Sequence, residues 1–279
     1  MKFILLFIFS ILIFENSFSQ VNFSGEIVWT KLSEGVSVAE FDAPEKSFLN
    51  DSKLTIVKVN PTKCEFGLYS ASEYGKKLRT AEQWADEFGL NIVFNAGMFS
   101  LKDFKTSKGY MKNFKHINNA KLNTAYNSMM VFNPKNKSDL PFRIADLKCE
   151  SWENVKHKYN SYAQSLRMID CNGKALSWDK NPDQKCSMLV LATDSANNVL
   201  IIFNRSPYTQ NKMIEFMLAL PLNIKQATYL EGGPETSVYV SYDNFCLEKI
   251  GSYVTRFFER DDNNTFGKIP NVIGIKIKE

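Results

Sequence analysis

The stretch that decides the fold runs from Ser187 to Gly233 and reads SMLVLATDSANNVLIIFNRSPYTQNKMIEFMLALPLNIKQATYLEGG. It begins with two apolar runs, SMLVLAT and NVLIIF, joined by the turn-like DSANN, and this pattern predicts a pair of strands. Thr209 suits the N-cap of a helix that Pro221 would end. Apolar side chains at i, i+3, i+4 and i+7 give this helix one buried face; they are Met213, Phe216, Met217 and Leu220. The run ATYL then predicts a buried strand that ends at Glu231.

The same order of elements occurs earlier, between Lys53 and Phe99. KLTIVKV and CEFGLYSA predict strands, TAEQWADEFG predicts a helix that begins with a capping box, and LNIVF predicts a last buried strand. The tip Asn95–Gly97 is therefore the counterpart of Glu231–Gly233. If a right-handed helical crossover placed both last strands in one sheet, the two tips would meet at the edge where such sheets bind ligands. The alternative is coincidence, because strand–helix–strand units are common.

The remaining segments add strands to these two units. YAQSLRMIDCNGKALSWD predicts a hairpin that turns at Asn172-Gly173, and TSVYVSY and NVIGIKIK predict two further strands. No long Pro/Gly/Ser linker divides the chain after the first twenty residues. We therefore expect an α/β (α+β) fold: a single domain with a large mixed, partly antiparallel β-sheet flanked by helices, built around two strand–strand–helix–strand units.

The first twenty residues, MKFILLFIFSILIFENSFSQ, predict a secretory signal peptide at 1–19 and a domain at 20–279. The alternative is a membrane anchor. The apolar run from Phe3 to Phe14 is short for a span, which needs about 20 residues. We expect an exported protein, periplasmic or extracellular, with no stable membrane insertion after the signal is removed.

The net charge and the cysteine count limit which partners and which disulfides we expect. The chain has 279 residues and a net charge of +4 without a dense Lys/Arg block, so we expect no nucleic-acid partner, although an anionic substrate is compatible. The cysteine count of five is odd, which leaves at least one thiol free or paired between chains. Most of these cysteines are expected to be small buried side chains, and Cys171 with Cys186 could form a bridge. The sequence does not predict an oligomeric state.

The sequence gives little support for a metal site or for a catalytic nucleophile. The chain has only two histidines, His116 and His157, in polar contexts that predict surface positions. No CxxC pair, GxSxG elbow, P-loop or GxGxxG motif is present. Carboxylates and amides at strand ends could hold a divalent cation, but no ligand-spacing motif supports one. We therefore expect no cofactor.

Carboxylates, amides and cationic side chains remain as candidates. Glu231 and Glu235 flank Gly232-Gly233, which would permit unusual backbone angles and the close approach of a ligand. Residue types alone leave a binding site and a plain turn equally open here. The same holds at the earlier tip, where Asn95 could bond a sugar hydroxyl or a phosphate oxygen.

Two arginines offer planar donors for an anion. Arg205 directly follows the buried run VLIIF, and Arg167 lies within SLRMID. The alternative for each arginine is a salt bridge or solvent exposure. Lys108 is a weaker candidate of the same kind.

Together, these segments resemble the phosphodiester glycosidase family from about Leu54 onward. NAGMF stands where the family carries an Asn-Gly-Gly-Phe-Phe-like run, and ATYLEGG stands where it has Ala-x-x-Leu-Asp-Gly-Gly. The strand pair that ends near NRSPYT, and the helix after it, occur in the same order. Two departures are Glu231 in place of the family's Asp and Pro234–Thr236 in place of Gly-Ser-Ser.

The resemblance implies cleavage of the glycosidic bond of a sugar 1-phosphodiester, GlcNAc-1-phosphodiester-like, or of a related surface glycan. It implies Glu231 as the base or stabilising carboxylate, Glu235 as its partner and Arg205 as the phosphate holder. The implied substrate-binding residues are Asn95, Gly97, Arg167, Arg205, Gly232 and Gly233. Two alternatives stay open: a glycoside hydrolase whose substrate has no phosphate, and a non-catalytic glycan-binding protein.

Overall fold

The computed structural model describes Val21 and residues 23–278, so the predicted signal peptide lies outside the described residues. Over these residues the chain forms sixteen strands and three α-helices. The strands are β1 (Thr30–Lys31), β2 (Val36–Asp42), β3 (Lys53–Val59), β4 (Cys64–Ser70), β5 (Ile92–Asn95), β6 (Met111–Asn113), β7 (His116–Asn119), β8 (Ser128–Pro134), β9 (Phe142–Asp146), β10 (Tyr159–Ile169), β11 (Lys185–Asp194), β12 (Val199–Thr209), β13 (Ile224–Gly232), β14 (Ser237–Tyr242), β15 (Phe245–Ile250) and β16 (Asn271–Ile277). The helices are α1 (Ala81–Phe88), α2 (Trp152–Lys156) and α3 (Gln210–Ala219), with 3-10 turns at Pro61–Lys63 and Gly233–Glu235.

The strands form two sheets. The large sheet has eleven strands in the order β1-β2-β3-β12-β11-β13-β10-β6-β7, and β8 pairs with β10 and β9. The small sheet has the order β15-β14-β5-β16-β4. The pairings recorded between these strands are all antiparallel.

The main core lies between the two sheets. Val57, Leu189 and Ile201 point into it from the large sheet, and Phe94 and Ile273 from the small one. Alternate residues point to opposite faces of a strand, so the outer face of each sheet needs its own cover.

Helix α3 packs Met213 and Phe216 on the outer face of the large sheet, and α1 packs Trp84 on the outer face of the small one. The order of layers is therefore helix, sheet, sheet, helix. The α+β class predicted from the sequence is confirmed.

Both predicted helices have the expected ends. The side chain of Thr80 accepts a bond from the Gln83 N–H, and the Gln83 side chain accepts from the Thr80 N–H, which completes the capping box of α1. Thr209 caps α3 by accepting from the Lys212 N–H at 3.1 Å. The apolar runs of the two repeated units are strands, as predicted.

One arrangement differs from the prediction, because β5 and β13 do not share a sheet. After β13 the chain passes through the turn Gly233–Glu235 into β14, which pairs with β5 in the small sheet. The two sheets face each other, so the two predicted tips still meet, but across the sandwich. Two facing antiparallel sheets bury the apolar strands as well as one mixed sheet would.

The hairpin and the cysteine pairing also differ in detail. The turn forms at Asn172-Gly173, with Gly173 at a φ of +74°, but its return arm makes only a single bridge between Ile169 and Ala175. Cys171 is bonded to Cys149 and not to Cys186. Cys186 is buried within β11. Cys64, Cys186 and Cys246 are free, which agrees with the odd count, since that count required at least one thiol outside an intrachain bridge. Among the described residues, no helix is long and apolar enough to cross a bilayer.

Candidate active site

Glu231 is the next-to-last residue of β13 and is only 9% exposed. Its Oε1 accepts a bond from the Gly232 N–H at 3.1 Å. Its Oε2 is buried and has no hydrogen-bond partner among the described residues. Burial raises the pKa of this carboxyl to about 8; the Gly232 bond and Lys108 oppose that rise, and the charge of Glu235 adds to it. Glu231 is therefore mostly protonated at neutral pH.

A β-bulge sets the direction of this side chain. In the pairing of β11 with β13, Leu189 faces Glu231 while Val190 faces Tyr229, so Leu230 is the extra residue. Bulges of this kind bend a strand and re-aim its side chains, and they occur often beside active sites. Sequence periodicity carries no signal for this extra residue.

The turn after Glu231 depends on both glycines. A Cβ on Gly232 would overlap the Tyr229 hydroxyl and lie 3.0 Å from Cys186 Sγ. Gly233 has a φ of +79°, which side-chain-bearing residues rarely adopt. The glycines therefore serve packing and backbone geometry, and their contact with substrate stays a prediction.

Asn95 holds the same turn from the other sheet. Its Nδ2 donates to the Glu235 carbonyl at 2.9 Å, and its Oδ1 accepts from the Ser237 N–H at 2.8 Å. The Asn95 residue is 1% exposed. These two bonds join the tips that the sequence pattern paired, and they give Asn95 a positioning role for Glu235.

Gln164 in β10, together with residues 108–126 that it binds, forms one side of the candidate site; we call this side the wall. Its Oε1 accepts from the N–H groups of Tyr110 and Asn123, each at 2.9 Å, and its Nε2 donates to the carbonyls of Asn123 and Tyr126. Gly97, at a φ of +120°, packs against the same residue, since its Cβ would lie 3.9 Å from the Gln164 carbonyl. Gln164 thus ties the chain segment of residues 108–126 to the candidate site.

Lys108 and Tyr126 lie on this segment. Lys108 is exposed, and it is the cation that lowers the pKa of Glu231. Burial and the Glu231 carboxyl raise the pKa of Tyr126. In the sequence, Lys108 is a weaker candidate than the two arginines, and Tyr126 is not predicted as part of the site.

Beneath the turn lie Tyr229 and Cys186, neither of which the sequence predicts as part of the site. Burial raises the pKa of the Cys186 thiol to about 12 and keeps it unreactive. The Tyr229 ring packs against Trp178 at 5.3 Å, and burial raises the pKa of its hydroxyl well above the ordinary value. The one available signal was the position of Tyr229, two residues before Glu231 on the same strand.

The two candidate arginines already have protein partners. Arg205 donates from Nε to Asp261 at 2.7 Å and from Nη1 to the carbonyls of Ile250 and Asn263 at 3.0 and 2.9 Å. Arg167 donates to both carboxylate oxygens of Asp146, which is 2% exposed. These networks match the salt-bridge alternative stated above, and the phosphate-binding roles stay predictions.

Potential metal ligands come together away from Glu231. Among the described residues, Asp146, Cys149 and Cys171 have ligand atoms within 4.8 Å of one another. Cys149 and Cys171 are joined to each other, so they offer no thiolate, and Asp146 is bonded to Arg167. This group does not fit a metal ion while the disulfide is intact.

Histidine chemistry lies outside this site as well. His157 is exposed as predicted, whereas His116 is half-buried and shares a 2.9 Å hydrogen bond with Ser72.

The family model for phosphodiester glycosidases matches residues 88–276, which include the turn Gly233–Glu235, Asn95 and Gln164. This chain belongs to the phosphodiester glycosidase family. No curated protein matches the sequence. The family match covers both strand tips on which the sequence resemblance depended.

Two solved structures share the fold. A hypothetical protein from Synechocystis has a TM-score of 0.60 at 11% identity; the match covers 91% of this chain and 64% of that protein. The catalytic domain of zebrafish N-acetylglucosamine-1-phosphodiester alpha-N-acetylglucosaminidase, auto-inhibited by its pro-peptide, has a TM-score of 0.59 at 11% identity, over 88% of this chain and 84% of that one. At this identity the likeness concerns the fold alone.

Proposed function

We propose that this protein is an exported hydrolase that cleaves the glycosidic bond of a sugar 1-phosphodiester, GlcNAc-1-phosphodiester-like. The observation that carries the proposal is the Glu231 carboxyl. Its Oε2 is buried without a hydrogen-bond partner in the part of the chain that the structure describes, and the charges of Glu235 and Lys108 act on it. Buried carboxyls with strongly shifted pKa values concentrate at catalytic sites. Membership of the phosphodiester glycosidase family supports the proposed substrate class.

The proposed reaction breaks the bond between the anomeric carbon and the phosphate oxygen, and water supplies the new oxygen on the sugar. A neutral Glu231 does not repel the anionic phosphodiester, and it donates its proton or a hydrogen bond to the departing phosphate. Glu235, as a carboxylate, stabilises the positive charge that develops on the sugar ring or takes the proton of the attacking water. Glu231 is thus proposed as the proton donor, in place of the role as base or stabilising carboxylate that the family resemblance implies.

Lys108 is our first choice for the phosphate, because it is exposed and acts electrostatically on Glu231. Arg205 remains a proposed phosphate holder, although it would have to exchange part of its bonds to Asp261 and the loop for the substrate. Arg167 is a further proposed contact on the same terms.

The sugar is proposed to bind on the side of Gly97 and the wall, above the floor formed by Gly232 and Gly233. Asn95 contributes there through the turn that it holds.

The test is the release of free sugar from the methyl ester of GlcNAc-1-phosphate by the parent and by Glu231→Gln. We expect kcat to fall by about 10²- to 10⁴-fold, the usual contribution of a positioned proton donor. Circular dichroism should show an unchanged fold, because Gln has the shape of a neutral Glu.

Turnover by Glu231→Gln at the parental rate would contradict the assignment of Glu231. No release by the parent from a panel of sugar 1-phosphodiesters, together with measured glycan binding, would instead support the non-catalytic alternative. Release from simple glycosides alone would support the glycoside hydrolase alternative.

Export is proposed from the sequence of residues 1–19. Expression of the full chain in a bacterial host should place it in the periplasm or medium with a new N-terminus near Gln20. A protein that keeps Met1 and stays in the cytoplasm would contradict the proposal.

A further inference from the structure

A cleft lies next to the candidate site. It has a volume of about 390 Å³ and is formed by residues 181–184 on one side and Thr255–Phe257 on the other. Its walls carry amide, carboxylate and guanidinium groups together with one aromatic ring. Nothing in the proposed reaction uses these residues.

The cleft is joined to the turn that carries Glu231. Where β13 leaves the large sheet, the segment 253–255 takes its place beside β11: Ser187 N–H donates to the Tyr253 carbonyl at 2.8 Å, and Thr255 N–H to the Lys185 carbonyl at 2.9 Å. Val254 also packs against Gly233, since a Cβ there would lie 3.0 Å from Val254 Cγ1. A shift of this segment would therefore disturb the catalytic turn.

The register between β11 and β13 gives the distance between the cleft and Gly232. Met188 pairs with Gly232, and Lys185 lies three residues before Met188 on the same strand. At a rise of about 3.3 Å per residue, the cleft begins roughly 10 Å beyond Gly232. It lies on the β11 side of β13, whereas Gly97 and the Gln164 wall lie on the β10 side.

Phe257 is presented by an ordered turn. Val254 and Phe258 exchange backbone hydrogen bonds of 2.8 and 2.9 Å across it. Arg256 is held at a φ of +72°, with its N–H bonded to Glu259 at 2.7 Å. The Phe257 residue is nonetheless 81% exposed. The backbone bonds of the turn therefore fix where Phe257 stands, and its side chain is left open to a ligand.

The lining has the chemistry of a carbohydrate site. The apolar C–H face of a sugar ring packs on an aromatic ring, and planar amide, carboxylate and guanidinium groups bond its hydroxyls. We propose that this cleft binds the sugar on the far side of the phosphate, the aglycone of the phosphodiester, with its ring against Phe257. This inference rests on the proposed function, because the cleaved sugar is assigned to the opposite side of β13.

The test compares two substrates that differ only in the aglycone: GlcNAc-1-phosphate esterified to methanol, and the same phosphate esterified to a primary hydroxyl of lactose. Phe257→Ala should raise KM for the lactose ester about tenfold, which corresponds to the loss of one good contact. It should leave kcat for both esters, and KM for the methyl ester, unchanged. Phe257→Trp keeps a stacking face and should retain the low KM.

Phe114→Ala is the matched control, because Phe114 is also an exposed phenylalanine but lies between β6 and β7. It should change neither substrate. Equal KM values for Phe257→Ala and the parent on the lactose ester would overturn the proposal, and so would an equal rise on both esters.

A second measurement separates this inference from the proposed function. Lactose is titrated calorimetrically into Glu231→Gln and into the double variant that also carries Phe257→Ala. Binding that weakens about tenfold in the double variant supports the subsite even if the parent releases no sugar. Absence of binding to Glu231→Gln, or equal binding to both proteins, overturns the subsite whether or not the parent is active.

Discussion

Glu231 keeps its proton because no group in the described part of the chain replaces the water that Oε2 loses on folding. A charged carboxylate there would pay the cost of burial, and the carboxylate of Glu235 would add repulsion. The family run has Asp at this position, and the extra methylene of Glu moves the carboxyl further from the strand. The raised pKa comes from burial and from Glu235, and both depend on how the chain folds around Glu231.

The pH dependence of the reaction tests this role. If Glu231 must be protonated, kcat/KM should fall about tenfold per pH unit above pH 8, because the active form is titrated away. The measurement is a pH profile for the methyl ester of GlcNAc-1-phosphate. A kcat/KM that rises through pH 8 would contradict the proton-donor role and favour Glu231 as the base.

The free energy of unfolding should also depend on the protonation of Glu231. The pKa of Glu231 is raised from 4.5 in the folded protein, so its protonated form stabilises the fold fully below pH 4.5. That contribution is lost as the pH rises from 4.5 towards 8, by up to about 1.4 kcal/mol per pH unit. Glu231→Gln cannot titrate, so its free energy of unfolding relative to the parent should increase from pH 5 to pH 8 in urea denaturation. A constant difference would show that Glu231 has an ordinary pKa.

Strand β5 carries an asparagine clasp at each end. Asn95 bonds the turn that holds Glu235, through the Glu235 carbonyl and the Ser237 N–H. Asn91, just before the strand, bonds the Ser241 carbonyl at 3.2 Å and the Ile277 N–H at 2.9 Å. The two clasps have the same chemistry, but only one touches the candidate site.

This pair allows a matched experiment. Asn95→Ala and Asn91→Ala should each lower the free energy of unfolding by about 1–3 kcal/mol, because each leaves backbone groups without partners. Only Asn95→Ala should also lower kcat, by about tenfold or more, since a displaced turn misplaces Glu235. Urea denaturation and sugar release measure the two effects. Equal kcat values for the two variants would show that the Asn95 clasp does not position the catalytic turn.

At the scale of the whole molecule, the chain crosses between sheets at the place where the chemistry is proposed. The facing sheets share the main core, and the passage from β13 to β14 carries Glu231, both glycines and Glu235. The disulfide Cys149–Cys171 ties the segment after β9 to the turn after β10 across 22 residues of sequence.

Removal of this disulfide should destabilise the protein. A loop of this length contributes about 3 kcal/mol by restricting the unfolded chain, and Cys149→Ala with Cys171→Ala should lose that amount. The exposed free thiol of Cys246 supplies the control, because Cys246→Ser should leave the free energy of unfolding unchanged. A bond between Cys171 and Cys186 in peptide mapping of the exported protein would contradict the pairing.

Much of the fold could be read from local patterns. The capping box at Thr80 and the apolar face of α3 predicted both larger helices, since these signals lie within a few consecutive residues. Strand positions followed from apolar runs for the same reason. Strand partners did not, because β5 pairs with β14 and β16, which lie more than a hundred residues away.

The same distinction between local and long-range information applies to the candidate site. Local residue types were enough to single out Glu231, Asn95 and the glycines as strand-tip residues, and the order of these motifs predicted the family. Only the folded chain decided that Glu231 is protonated, that Asn95 serves the turn and that Lys108 lies near enough to act on Glu231. The physical reason is that burial, electrostatics and hydrogen bonding depend on which distant segments surround a residue, and no short stretch of sequence specifies its surroundings.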